Sequence, residues 1–298
     1  MNQVLNPLPR TQSIETPYLN NEFCCRWAPS IGPLEDTHQN VWGTKDYNPE
    51  TDLLKPCVFF GLYGFPDFCS LWRHKGKKWI LWAGSDIQHL LAGYFLDPAG
   101  KIRIHPTQLS SWIDTFCESY VENEVEQQAL RSVGIRSKVV PSFLGDVTKF
   151  ESSYKPSDKP KLYTSVSGDN FDLYGWSKIH KLAESNPEIE FHLYGNTTPW
   201  ETVSPNVVVH GKVPKEQMNE EIKTMQGALR LTAFDGFSEI LCKSILMGQW
   251  PVSAIEYPHM LNLNAIWLLH NCSTPNHLGR EHYLRVVNNY PWNVKKHV

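Results

Sequence analysis

Residues 235–252 read DGFSEILCKSILMGQWPV, and their front end is where chemistry is most concentrated. A glycine beside an acid lets backbone approach a ligand closely. The amides of Gly236, Phe237 and Ser238, opening a helix, would present N–H groups to an anion such as a diphosphate. Asp235 would then accept hydrogen bonds from the hydroxyls of a neighbouring polar ligand. Arg230 interrupts the apolar run Ala228-Leu-Arg-Leu-Thr, where a charge is costly unless paired, so it points either to a ligand phosphate or to an acidic partner. Glu239 and Lys243 stand four apart on one helix face. They can therefore pair with each other as readily as Lys243 can bind a phosphate.

A second group lies earlier in the chain. Asp86 follows Gly84 and Ser85 at the end of an apolar strand and opens a helix. It is either a helix cap or a carboxylate facing a ligand hydroxyl, where it could serve as a general base. Arg73, His74, Lys75, Lys77 and Lys78 form the densest basic run, a solvated loop or, with Trp72 and Trp79, a grip on a polyanionic acceptor. Tryptophan suits stacking on sugar rings or bases as well as core packing, and this chain has eleven. Trp72, Arg73, Trp82 and Ser85 are the acceptor-side candidates. The seven cysteines show no CxxC or zinc-type spacing, and no Asp-x-Asp, Gly-x-Ser-x-Gly or Walker motif is present. No metal and no cofactor is expected.

These residues need elements to position them. A length of 298 residues predicts about two domains. Net charge -3 fits an ordinary soluble chain, and no apolar run long enough to span a membrane or pattern of a secretory signal is found, so a cytoplasmic protein is expected. Residues 1–55 read as a loop-rich N-terminal arm. From 56 to 150 short apolar runs alternate with helical spacing: strands at 55–64 and 78–84, a helix from Ile87, strands at Arg103-Ile-His and Trp112–Cys117, a helix over Glu118–Val133 and a strand at Ile135–Val140. After a Ser, Lys and Pro linker at 150–160, the alternation restarts. Strands are expected at 161–166, 189–195, 207–211, 228–232 and 251–254, with helices at 175–185, 216–225 and 239–247. The tail 259–298 shows no clear strand and is expected to pack back on the domains. The fold class is α/β, two Rossmann-like domains facing across a cleft with the first one shortened, and ligands belong at the carboxyl ends of the strands.

Residues 161–254 resemble the nucleotide-binding half of GT-B glycosyltransferases. In particular they look like the large, mostly retaining group with a Glu-Gly-Phe-Gly turn and a second Glu eight positions after the first. The resemblance is carried by the strand and helix order, by Phe191-His-Leu-Tyr-Gly, by Asn206-Val-Val-Val-His-Gly-Lys-Val-Pro, and by Asp235-Gly-Phe-Ser with Gly248 closing the helix. It extends more loosely to Trp82-Ala-Gly-Ser-Asp-Ile and to residues 122–141. It implies that Asp235 hydrogen-bonds donor sugar hydroxyls, that Gly236, Phe237 and Ser238 lie near sugar and diphosphate, and that Gly195 and Asn196 form the turn near the donor's base and phosphates. The second Glu, which holds ribose hydroxyls in that group, falls on Lys243. The Arg and Lys-Gly pair that grip the diphosphate are replaced by Ser167-Gly-Asp-Asn and Tyr174-Gly-Trp, leaving Arg230 and Lys243 as substitute charge.

The expected function is a metal-independent glycosyltransferase of the retaining type, moving a sugar from a nucleotide-sugar donor to a hydroxyl acceptor, a glycan or a modified nucleobase in DNA. In a retaining enzyme Asp86 would orient hydroxyls, the departing phosphate taking the acceptor's proton. A non-catalytic binding or scaffold protein of the same fold is the rival, since Lys243 and the missing cations are what a relic would show. A sugar-nucleotide epimerase ranks last, because no acid/base pair flanks the sugar position.

Overall fold

The computed structural model describes residues 22–34, 37–92, 106–168, 170–195 and 203–297. The chain divides into two units: residues 1–121, 127–139 and 290–298 in the first, 122–126 and 140–289 in the second. Each is built on its own parallel sheet.

The first sheet has the order β2-β1-β3-β4-β5-β6. Its strands are β1 (Cys24–Trp27), β2 (Lys45–Asp46), β3 (Cys57–Phe60), β4 (Lys78–Leu81), β5 (Glu118–Val121) and β6 (Ser137–Val139). Helices α1 (Thr37–Trp42), α2 (Phe65–Arg73), α3 (Ser85–Leu91), α4 (Pro106–Phe116) and α5 (Glu124–Ser132) connect them. The inner strands β3 and β4 are buried along their whole length, which is why they read as unbroken apolar runs rather than alternating ones.

Three expectations are corrected here. The arm 1–55 is not all loop, because β1 pairs with β3 over four residues and lies inside the sheet. Trp112–Cys117 belongs to α4, not to a strand: Leu109, Trp112 and Ile113 recur at helical spacing and are all buried. Glu118–Val133 is not one helix, since Glu118–Val121 is β5 and α5 starts at Glu124. The strand expected at Arg103-Ile-His lies outside the described residues.

His74 closes α2 and is fully buried against Tyr47 and Phe59. Burial, then the neighbouring Lys78 ammonium, push its imidazole down to about 4 from the usual 6.5. An unfolded chain therefore takes a proton that the folded one refuses. Stability is full above pH 6.5 and falls as the pH drops towards 4, by up to about 3 kcal/mol. His74→Phe should flatten this part of the curve in urea unfolding followed across that range; an unchanged slope would place the acid sensitivity elsewhere.

The second sheet has the order β12-β11-β10-β7-β8-β9, all parallel. Its strands are β7 (Lys161–Ser165), β8 (Glu190–Tyr194), β9 (Val207–Gly211), β10 (Gly227–Arg230), β11 (Val252–Ser253) and β12 (Leu261–Asn262). Its helices are α6 (Trp176–Ser185), α7 (Lys215–Glu221), α8 (Glu239–Leu246) and α9 (His277–Val286). One face carries Leu162, Leu193, Leu229 and Leu231 against Trp176 and Ile179 of α6. The other carries Tyr163, Tyr194 and Ala228 against Ile240, Leu241 and Ile245 of α8.

The tail, expected to be strandless, supplies β12 at the sheet edge and α9 against α8. Residues 290–298 group with the first unit, where Trp292 is fully buried and stacks on Tyr290 with ring centroids 4.5 Å apart. Among the described residues no helix is long and apolar enough to cross a membrane.

Candidate functional site

The carboxyl ends of the second sheet gather the turns after β7, β8, β9 and β10. Val166 N–H donates to the Tyr194 carbonyl at 2.9 Å, and Gly195 N–H to the Gly211 carbonyl at 2.9 Å, so three strand ends are knitted together. Gly195 has φ +99°, and a Cβ there would stand 2.1 Å from the Val166 carbonyl oxygen. Its glycine is thus explained by packing between strand ends, whatever binds above it. Asn196, its companion in the expected donor set, lies outside the described residues.

After β10 the chain turns through Asp235, and here the charge buried in the strand finds its partner. Arg230 donates to Asp235 Oδ2 through Nε at 2.7 Å and Nη2 at 2.5 Å. The Tyr174 ring covers the guanidinium with its centroid 4.2 Å away. Of the two roles expected for Arg230, the acidic partner is present, and it is the very carboxylate expected to meet the sugar. Asp235 remains part-exposed, its side chain 28% accessible against 10% for Arg230. The ring against the guanidinium and two donors on one oxygen hold the carboxylate in place.

The backbone of the turn points the other way. Phe237 N–H donates to Glu122 Oε2 at 2.7 Å, the Asn123 side-chain amide to the Asp235 carbonyl at 2.7 Å, and Tyr257 Oη to the Gly236 carbonyl at 3.2 Å. All of these residues belong to the second unit. Phe237 itself is buried and stacks on Tyr283 at 5.1 Å. The Phe237 amide, expected to face an anion, is therefore not free to do so. Ser238 caps α8 without a side-chain hydrogen bond to its backbone.

Lys243 is turned inward, its side chain 4% exposed, and donates to Glu239 Oε1 at 3.0 Å. Lys215, opening α7, meets the same oxygen at 3.0 Å. The two ammonium groups hold the Glu239 carboxyl below its usual range against the opposing effect of burial, the largest single cause. Helix spacing alone made this pair legible; Lys215 was not anticipated.

On the α8 face of β8 and β9, His192 is hydrogen-bonded to Glu190 and to His210, both at 2.8 Å, and the His210 ring lies 3.3 Å from the Glu221 carboxylate. Burial favours the neutral form of His192, although the Glu190 carboxylate beside it works the other way. Tyr194 stacks on His210 at 4.1 Å and donates to Glu221 at 2.7 Å, tying α7 to the strand ends.

In the first unit the acceptor-side candidates separate. Asp86 is fully buried and accepts from the amides of Leu62 at 2.8 Å, Ala83 at 3.0 Å and Ile87 at 2.9 Å. Its carboxylate ties β3 and β4 to the start of α3 and has no face left for a ligand. The capping alternative is nearer the truth, although Gly84 is the cap and Asp86 sits in the first turn. Trp82 is likewise fully buried. Ser85 is exposed at the carboxyl end of β4, its hydroxyl donating to Tyr63 Oη at 3.4 Å. Trp72 and Arg73 are exposed too, but they end α2, which runs back to the strands' amino ends. The nine residues of α2 place them about 13 Å of helix away from the edge where Ser85 stands. Within the basic run, His74 and Lys78 are buried and Lys77 pairs with Glu118 at 3.1 Å, so it is not a continuous cationic face.

Among the described residues no cluster of three His, Cys, Asp or Glu is placed to hold a metal. No protein-family model and no curated protein matches the sequence. Solved structures do. Sucrose-phosphate synthase from Thermosynechococcus elongatus matches with TM-score 0.57 and 10% identity over 90% of this chain and 76% of its own. Anabaena HepE, solved with UDP and glucose, matches with TM-score 0.53 and 13% identity over 93% and 98%. TarM of S. aureus matches with TM-score 0.50 and 11% identity; this chain spans about half of it, 52%. At such identities the likeness is one of architecture, and it agrees with the two parallel sheets: the chain has the GT-B type of fold, two Rossmann-like α/β units.

Proposed function

We propose that the chain is a glycosyltransferase that takes a sugar from a nucleotide-sugar donor and passes it to a hydroxyl acceptor, of which a glycan is the better fit. The observation that carries this is Asp235, a part-exposed carboxylate at a strand's carboxyl end, aimed by Arg230 and Tyr174 on one side while its backbone is tied down on the other. A carboxylate held this way accepts hydrogen bonds from sugar hydroxyls without reorganising, which is how binding is turned to catalysis. HepE, of the same fold, was solved with UDP and glucose, which supports a uridine nucleotide as the first donor to try.

Retention of configuration without a metal follows the resemblance at the Asp235 turn: the leaving phosphate takes the acceptor's proton, and no protein base is required. Asp86, buried and taken up by three backbone amides, is left out of this reading. With Trp72 and Arg73 at the other end of their sheet, a DNA acceptor loses the basic groove that motivated it.

The decisive experiment is a thermal-shift screen with UDP, GDP, CMP, ADP and their sugars, followed by assay of transfer and donor hydrolysis. A ligand bound only to the folded state raises the unfolding midpoint. One nucleotide is expected to stand out; no shift and no turnover with any would remove the reading.

The rival, a binding protein without turnover, is favoured by the occupied Phe237 amide and by the Lys243–Glu239 pair. Lys243→Glu separates the pair's structural role from a ligand role. It sets two carboxylates four apart where Lys243 was nearly inaccessible, and should lower stability by about 2–4 kcal/mol in urea unfolding. A variant as stable as the wild type but changed in nucleotide preference would put Lys243 in the ligand site instead.

A further inference from the structure

We propose that Glu122 is a positioning residue for the Asp235 turn: its carboxylate, not a ligand, takes the Phe237 amide, and its proton occupancy sets the affinity for a nucleotide sugar. This rests on the function proposed above and deepens it.

Three observations bear on Glu122. The first is occupancy. Gly236 does not adopt a left-handed φ, so no backbone conformation demands glycine there. Its missing side chain leaves the space that Glu122 fills: a Cβ on residue 236 would stand 2.0 Å from Glu122 Oε2. The second is the division of labour around the turn. Asn123 and Tyr257 take the two carbonyls and are themselves linked at 3.3 Å, while Glu122 takes the one N–H. Of the three, Glu122 alone carries a carboxyl. The third is that its remaining oxygen accepts from the Ser142 hydroxyl, so the buried group is bonded at both ends.

The groups facing Glu122 are Asp235 in the turn, Glu126 of α5, Cys242 of α8 and Tyr257. Burial pushes its carboxyl up to about 7; the Ser142 and Phe237 donors pull it back, and Asp235 adds to the rise. Ionised, Glu122 gives Phe237 N–H a charged acceptor. Protonated on the oxygen beside Ser142, whose hydroxyl can turn to accept, it offers Phe237 only a neutral carbonyl. A charge-assisted hydrogen bond exceeds a neutral one by roughly 1 kcal/mol, a factor of about five in the ordering of the turn.

Stability moves in the opposite direction. The folded carboxyl lies at about 7 against an ordinary 4.5, so the folded state binds the proton more tightly. Glu122's contribution to stability is therefore present below about pH 4.5 and is lost as the pH rises towards 7. Acidification should strengthen the fold at this residue while weakening donor binding. A residue with a merely structural role would move both together.

The test uses the full chain and UDP-glucose, which lacks the terminal-phosphate ionisation near about pH 6 that would confuse a titration with UDP. Wild-type affinity, measured by calorimetry, should weaken about threefold from about pH 8 to about pH 6, most of the limiting factor of about five. Glu122→Gln should show the weak value at both, with an unfolding midpoint at the upper pH no lower than the wild type's. Ser142→Ala, which removes a donor to the ionised form, should move the wild-type profile's midpoint upward. A Glu122→Gln variant with wild-type affinity and profile, or a Ser142→Ala profile that does not move, overturns the inference. If the wild type binds none of the UDP, GDP and ADP sugars, the proposed function fails first. Amide exchange at Phe237 then decides Glu122 alone: unchanged protection in Glu122→Gln removes the clamp as well.

Discussion

Asp235→Asn should lower sugar transfer by about a hundredfold or more and leave the fold intact, the range seen when one preorganised polar group is removed from a site that stabilises developing charge. The substitution keeps the side chain's shape and one oxygen for Arg230, whose Nε and Nη2 both converge on Oδ2. What it removes is the negative charge that sugar hydroxyls would meet. The stability cost should be about 1 kcal/mol, because Asp235 is part-exposed and the amide oxygen still accepts. Arg230→Met is the informative partner. It leaves Asp235 charged but unaimed and uncovers the Tyr174 ring, so transfer should fall while ring packing of the thioether partly replaces the stacked guanidinium. Initial-rate assays with the donor found by thermal shift, beside urea unfolding of each variant, separate the two effects. An Asp235→Asn enzyme with wild-type turnover would move the chemistry away from this turn.

The second unit was legible because its inner strands are buried on both faces and α8 packs an apolar face: β7, β8, β9, β10 and α8 fall where apolar runs and 3.6-residue spacing put them. The Glu239–Lys243 pair followed from the same spacing. Two of the three first-unit expectations that the structure corrects show why local pattern falls short there. Leu109, Trp112, Ile113 and Phe116 form a helical stripe, yet the dense apolar tetrad around Trp112 looks strand-like over a short window. β1 is only four residues long in a polar stretch, and its membership of the sheet comes from pairing with β3, which no local pattern announces.

The site divides on the same physical line. Asp235 and Arg230 were visible because an acid beside glycine and a charge inside an apolar strand are anomalies within a few residues. Glu122, Asn123 and Tyr257 were not, because they reach the turn across sequence separations of 112 or more, or from the loop beyond β11. Asp86 shows the converse error. A carboxylate at a strand end is equally suited to ligand hydroxyls and to backbone amides, and only its burial, with three amides around it, decides for the second.

Gly195→Ala should be the most damaging single-atom addition considered, costing about 3 kcal/mol or more, because two independent penalties coincide. Its φ of +99° is one that side chains rarely adopt, and the added carbon would meet Val166 oxygen at 2.1 Å, carbon at 3.1 Å and nitrogen at 3.3 Å. That obstacle is backbone and cannot rotate away. Moving it would break the Val166–Tyr194 and Gly195–Gly211 hydrogen bonds that knit β7, β8 and β9. Gly134→Ala isolates the first penalty: φ is +86° but nothing stands within 4 Å, so it should cost only about 1 kcal/mol. Equal costs for the two in urea unfolding would mean that crowding at the strand ends contributes nothing. A Gly195→Ala protein that folds as well as the wild type but no longer binds the donor would show that this glycine is kept for close approach of a ligand, and that the strand ends can yield where the geometry says they cannot.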